Sequence, residues 1–171
     1  MTNNNRRQLT LFVEQKDAKL IEQVRHEFNP VQFELIRSHV TLCRDEEIQN
    51  LELVISNIVL MSQTEILITF AKVARFDNKK GLLLPATTNN AEFQKLRQQV
   101  LVGLINNSGM QVPHITLMHP RNSTCTDKIF EKIEKLAFPT ILKFKTISLI
   151  EQENGGKWRV LQEFDLKQIT Y

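Results

Sequence analysis

One four-residue word, His-aliphatic-Thr-Leu, is written twice in this chain, as His39-Val40-Thr41-Leu42 and as His114-Ile115-Thr116-Leu117. The copies stand 75 residues apart in a sequence with only four histidines. A His-x-Thr-Leu word arises by chance roughly 0.04 times in a chain of this composition, so two copies point to a duplicated unit. Each copy lies in an apolar run that reads as a β-strand. Period-two alternation there puts His and Thr on one face, with Val40, Leu42, Ile115 and Leu117 on the other. A fold that brings the two strands together makes a pocket with two imidazoles and two hydroxyls.

The rest of the sequence repeats around these strands. Residues 8–14 read as an N-terminal strand. Asp17 can cap a helix striped by Leu20, Ile21, Val24 and Phe28, which Asn29-Pro30 ends. Residues 35–43 lead into the first motif strand. Asp45-Glu46-Glu47 then suit the N-terminus of a helix striped by Ile48, Leu51, Val54, Ile55 and Ile58. Residues 65–76 and 82–85 form a hairpin around 77–81. The order then starts again. Phe93, Leu96, Val100 and Leu104 stripe a helix ending near 106–109, and the second motif strand follows over 112–119. Thr124 or Thr126 caps a helix carrying Ile129, Phe130, Ile133 and Leu136, and Pro139 marks its end. A hairpin over 140–151 and 157–166 turns at Asn154-Gly155-Gly156. The expected architecture is α+β: one bilobal domain over 1–171, with lobe-forming repeats at about 17–86 and 91–166. Its pseudo-symmetric lobes of antiparallel sheet, flanked by helices, face a central cleft.

Composition narrows the setting. At 171 residues the chain can bury a substantial core. Its net charge of +3 tolerates an anionic ligand without announcing long nucleic acids. No apolar run approaches a membrane span and the first residues carry no apolar signal region, so the expected location is the cytoplasm. Cys43 and Cys125 share no Cys-x-x-Cys spacing and read as reduced thiols. No metal-ligand spacing, Gly-rich phosphate loop or hydrolase nucleophile signature accompanies the motifs, and neither a metal nor a cofactor is expected.

The motif residues suit phosphate-ester chemistry. Cleaving a phosphodiester requires one group to take the nucleophile's proton and another to protonate the leaving oxygen. Histidine does both near neutral pH. His39 and His114 are therefore the candidate acid/base pair, with Thr41 and Thr116 holding the non-bridging oxygens. Arg121, Arg75 and Phe76 are candidate substrate contacts. Arg44, Lys79 and Lys80 are further candidates for phosphate, and Trp158 and Tyr171 for base stacking. His26 sits beside a helical stripe and is expected to be structural or exposed. Strand parity puts His119 on the face opposite His114, outside the catalytic set, unless the strand ends or bulges before it.

The two motifs, with their flanking Ser38 and Pro113 and the repeated layout over 9–166, resemble the two-histidine phosphoesterase superfamily, in particular its 2'-5' RNA ligase-like, cyclic phosphodiesterase branch. That resemblance implies a LigT-like bilobal fold and an enzyme acting on 2',3'-cyclic phosphates or 2'-5' linkages of RNA or nucleotides, possible in the ligating direction too. It gives His39 and His114 the acid/base roles and Thr41 and Thr116 the phosphate. The implied partners are RNA ends or a small nucleotide, with no membrane, and the chain is expected to be a monomer. The rival expectation is a module that binds RNA ends or nucleotides in the same cleft without catalysis.

Overall fold

The computed structural model describes residues 4–104 and 109–167. In chain order the elements are β1 (Asn5–Phe12), α1 (Gln15–Phe28), α2 (Pro30–Leu35), β2 (His39–Cys43), α3 (Leu51–Leu60), β3 (Ile66–Thr69), β4 (Ala74–Arg75), β5 (Leu82–Pro85), α4 (Ala91–Val100), β6 (His114–Met118), α5 (Asp127–Ile133), β7 (Ile141–Phe144), β8 (Thr146–Glu153) and β9 (Arg159–Asp165). Seven strands form one antiparallel sheet in the order β4-β5-β6-β2-β1-β8-β9, and β3 pairs with β7 in a second, two-stranded sheet. The fold is α+β.

A pseudo-two-fold axis runs between the motif strands. Val40 pairs with Ile115, which stands at the same place in the other repeat. β1 lies against β2 as β5 lies against β6: Phe12 faces His39 and Pro85 faces His114, and Thr10 faces Thr41 as Leu83 faces Thr116. Both pairs carry a register shift at the matching place, between Leu9 and Thr10 and between Leu82 and Leu83. The N-terminal strand and β5 thus play the same part, each the first strand of its half.

The expected hairpins form next to their turns, where Ala74 and Arg75 pair with Leu83 and Leu82 and β8 pairs with β9, but the outer part of each goes elsewhere. Residues 66–69 do not return onto 82–85. They cross to the other half and pair with Ile141–Phe144, which in turn breaks from the long strand expected over 140–151. The alternation was legible in both segments, but alternation names no partner. Two local assignments also shift. Pro30 opens a second short helix as its first residue instead of only ending α1, and the first motif strand begins at His39 instead of Leu35. Asp45-Glu46-Glu47 make a single 3-10 turn, and α3 starts after Asn50, whose Oδ1 accepts the Leu53 N–H at 3.2 Å. Thr126 caps α5 in the same way, through the Ile129 N–H.

The sheet's apolar face and the helices enclose the core. Val40, Leu42, Ile115 and Leu117 are fully buried there with Leu9, Leu11, Ile21, Val54, Phe93, Leu96 and Ile133. Burying a side chain of this size stabilises the fold by about 1.5–3 kcal/mol each, and here it fixes which face of β2 and β6 is left for His and Thr. Among the described residues no helix is long and apolar enough to cross a membrane.

Candidate active site

Antiparallel register carries the sequence motif into geometry. With Val40 opposite Ile115, His39 stands across from Thr116 and Thr41 across from His114, all four on the face away from the core. They line one cleft of about 460 Å³.

The backbone fixes both imidazoles in the same way. His39 Nδ1 lies 2.8 Å from the Arg37 carbonyl oxygen, and His114 Nδ1 lies 3.2 Å from that of Val112. A carbonyl only accepts, so Nδ1 carries the proton in each ring, and Nε2 presents its lone pair when the ring is neutral. Each carbonyl belongs to the residue two before its histidine, a contact with no side-chain signature to read in the sequence. Phe12 meets the His39 ring edge-on at 6.1 Å, and Phe76 meets the His114 ring edge-on at 5.8 Å. Phe76 therefore sits beside the candidate site, as packing for an imidazole.

The two hydroxyls differ. Thr41 Oγ1 accepts a hydrogen bond from Gln8 Nε2 at 3.1 Å, and the same amide donates to Thr10 Oγ1 at 2.7 Å. With one lone pair occupied in this way, the Thr41 hydroxyl hydrogen is left for a ligand. Across the axis the place of Thr10 is taken by Leu83.

The cleft wall is one-sided in charge. Arg6, Arg25, Arg44, Arg121 and three histidines line it, and no Asp or Glu does so among the described residues. Arg25 is buried and committed, donating to the Ile36 carbonyl at 2.6 Å and pairing with Glu22 at 2.5 Å. Arg6 stands 5.5 Å over the Trp158 ring at one end of the cleft. Arg44 and His119 each follow a motif histidine by five residues, so the pseudo-symmetry places them alike. Sequence reasoning passed over Arg6 and Gln8 because both sit in the polar start of β1, which pairing with β8 draws into the sheet.

His119 departs from its expected position. β6 ends at Met118, strand parity lapses, and the ring faces the cleft. Its Nδ1 accepts the Arg121 backbone N–H at 3.1 Å, so the proton of the neutral ring lies on Nε2. This is the tautomer opposite to that of His39 and His114, and it makes His119 a donor where they are acceptors. Arg121 lines the cleft as well. Arg75 is held elsewhere: it pairs with Asp127 at 2.6 Å, donates to the Cys125 carbonyl and lies 4.9 Å over Phe130. Lys79 and Lys80 are exposed on the turn before β5, and Tyr171 lies outside the described residues.

Burial sets the protonation. Loss of water around His39, with the nearby Arg25 charge, pushes its pKa down to about 4 against the bond that Nδ1–H donates to the Arg37 carbonyl. Loss of water also lowers His114 and His119 from the ordinary imidazole value. With this loss of water the imidazoles favour the neutral state, and an arriving anion offsets that bias. Burial pushes the Cys43 thiol up to about 12, which removes it as a nucleophile at neutral pH.

The sequence profile of the 2'-5' RNA ligase superfamily matches residues 13–156. The chain belongs to this superfamily. It is a two-histidine phosphoesterase fold, and solved structures agree. LigT of E. coli complexed with phosphate superposes with a TM-score of 0.66 at 14% identity, covering 98% of this chain and 100% of that one. The same protein complexed with 3'-AMP gives 0.68 at 15% identity, covering 96% and 99%. A structure described as a phosphoesterase gives 0.64 at 16% identity, again covering 96% and 99%. No curated protein sequence matches this chain. Superfamily membership makes the general activity that of a phosphodiesterase or ligase.

Proposed function

We propose that this chain is a metal-independent phosphodiesterase that opens 2',3'-cyclic phosphates or cleaves 2'-5' phosphodiesters at the ends of RNA or on nucleotides, through His39 and His114. The single observation that carries this reading is the pair of matched Nδ1 locks, which leave both Nε2 atoms for one arginine-walled cleft free of carboxylates. In the cyclic-phosphate reaction His39, held neutral by its deeper pKa depression, takes the proton of the attacking water at Nε2. His114, as the imidazolium, gives its proton to the departing ribose oxygen. Thr41, Thr116 and the uncommitted arginines hold the non-bridging oxygens as charge moves onto them. The proton taken by His39 and the one lost by His114 balance, and solvent exchange resets the pair. In the ligating direction the roles exchange. Each half supplies one imidazole and one hydroxyl, so the two lobes act as one catalytic unit.

The phosphate and 3'-AMP held by LigT are of the size and charge this cleft accommodates, which supports a small nucleotide or RNA end as substrate. The test is incubation with 2',3'-cyclic nucleotides and a 2'-5' dinucleotide, with products resolved as 2'- or 3'-phosphates. Activity should survive EDTA, and His39→Ala and His114→Ala should each lose about 10²- to 10⁴-fold while staying folded by circular dichroism. Full activity in either variant refutes the proposal. Tight binding without turnover in the wild type makes the chain a binding module instead.

A further inference from the structure

Two grooves flank the cleft, and the pseudo-symmetry relates them. One, of about 910 Å³, opens beside His39 and is lined by Phe12 and Arg37. The other, of about 530 Å³, opens beside His114 and is lined by Pro85 and Val112. Pro85 is the partner of His114 as Phe12 is of His39, and Val112 and Arg37 each precede a motif histidine by two residues. Duplication therefore supplies two candidate exits for a ligand too long for the cleft.

Charge separates the two grooves. The groove beside His114 holds Arg44, Arg75 and Arg97 against Glu46, Glu47 and Asp77, and two of its arginines are already ion-paired, Arg75 to Asp127 and Arg97 to Glu47. The groove beside His39 holds Lys16, Lys19, Arg37 and Lys157 against Glu22 and Glu34. Glu22 is spent on Arg25 and on the Ser38 N–H, and Lys16 lies 3.4 Å from Glu14. No carboxylate among the described residues pairs with Lys19, Arg37 or Lys157. Aromatic surface is interleaved with these cations: Phe33 and Trp158 line the same groove, and the Arg37 guanidinium lies 4.3 Å over the Phe12 ring. The groove adjoins the cleft, since Leu35, Ile36 and Trp158 border both. The Trp158 N–H donates to the Leu35 carbonyl at 2.9 Å and holds the β8–β9 turn at that junction.

Unpaired cations alternating with aromatic faces form the surface that single-stranded nucleic acid takes up, by phosphate attraction and base stacking. We propose that the groove beside His39 carries the body of an RNA strand whose terminal phosphate lies between the two histidines, so that the substrate is an oligoribonucleotide in preference to a mononucleotide. This deepens the phosphodiesterase reading and rests on it for the placement of the terminal phosphate. The groove beside His114, balanced in charge, carries no strand.

Two measurements test the proposal. The first compares kcat/KM for a hexaribonucleotide ending in a 2',3'-cyclic phosphate with that for a 2',3'-cyclic mononucleotide, in the wild type and in the Lys19→Glu/Lys157→Glu variant. Stacking and phosphate contacts together give an expected preference for the hexamer of about tenfold or more. The double variant should bring the ratio close to one while leaving mononucleotide turnover unchanged. The second measurement follows binding of a fluorescein-labelled hexaribonucleotide 3'-phosphate by anisotropy, which needs no turnover and so stays informative if the catalytic reading fails. The double variant should weaken this binding about tenfold and flatten its logarithmic salt dependence by about 1.4, the contribution of two phosphate contacts on a single strand. Equal kcat/KM for the two substrates in the wild type overturns the proposal, as does unchanged hexamer binding in the variant. An acidic peptide that binds as tightly as the RNA overturns it in favour of a protein partner.

Discussion

The protonation of the two imidazoles makes the acid/base pair testable with pH alone. On the proposed roles, the free protein is productive when His39 is neutral and His114 is protonated. His39 has its pKa near 4, so above pH 5 more than about nine-tenths of it is neutral. Loss of water holds His114 below the ordinary imidazole value, so its protonated form is already the minor one at pH 7 and declines further as pH rises. A phosphodiester stays a monoanion across this range, which leaves the enzyme's own groups to set the profile. The plot of kcat/KM against pH should therefore be a bell on the acid side of neutrality, losing about tenfold between pH 7 and pH 8. The bound complex should differ. One negative charge about 4 Å from an imidazolium is worth about 4 kcal/mol at an effective dielectric of about 20, close to three pKa units. The cleft is open to water on one side, so about half of that shift remains. The alkaline limb of kcat should then lie about one to two units above that of kcat/KM. Stopped assays on a 2',3'-cyclic nucleotide from pH 4 to pH 9 at constant ionic strength give both curves. A kcat/KM that holds level or rises from pH 7 to pH 9 refutes the assignment, because the acid would then be a group with a much higher pKa.

Two substitutions away from the histidines test the frame that holds them. A Cβ at Gly81 would lie 2.6 Å from the Met118 carbonyl oxygen, 2.6 Å from Phe76 Cδ2 and 2.7 Å from Pro120 Cδ; Gly81→Ala should cost about 1–3 kcal/mol in urea unfolding. Because the shift displaces Phe76 from the His114 ring, kcat should fall more than KM rises. Arg97 is buried and ties Glu47, the Leu42 carbonyl and Gln111 together. Arg97→Met should cost about 3 kcal/mol by urea unfolding, since it leaves the partly buried Glu47 carboxylate with only the Arg44 N–H, and a change under about 1 kcal/mol would show that the pair contributes nothing net.

Some features of the site were visible in the residues themselves. The spelling of the two words gave the four candidate site residues, and alternation gave the faces: Val40, Leu42, Ile115 and Leu117 turn inward while His and Thr turn to the cleft. The pseudo-symmetry was visible as a repeated order of elements. β5 was legible as the end of a hairpin, which it makes with β4; that its other edge pairs with β6, as β1 pairs with β2, is seen only in the fold.

Local periodicity and the motif thus determined the chemistry on offer, since both depend on neighbours within a few residues. Tertiary structure decided everything that depends on partners far along the chain. It crossed β3 to β7, brought Arg6 and Gln8 under the cleft, and ended β6 in time to turn His119 inward. It also held Arg75 on α5, away from the cleft. It set the imidazole pKa values as well, because desolvation is a property of the packed surroundings. A word of four residues specifies which side chains share a strand face; the water they lose and the charges they meet come from segments up to a hundred residues away.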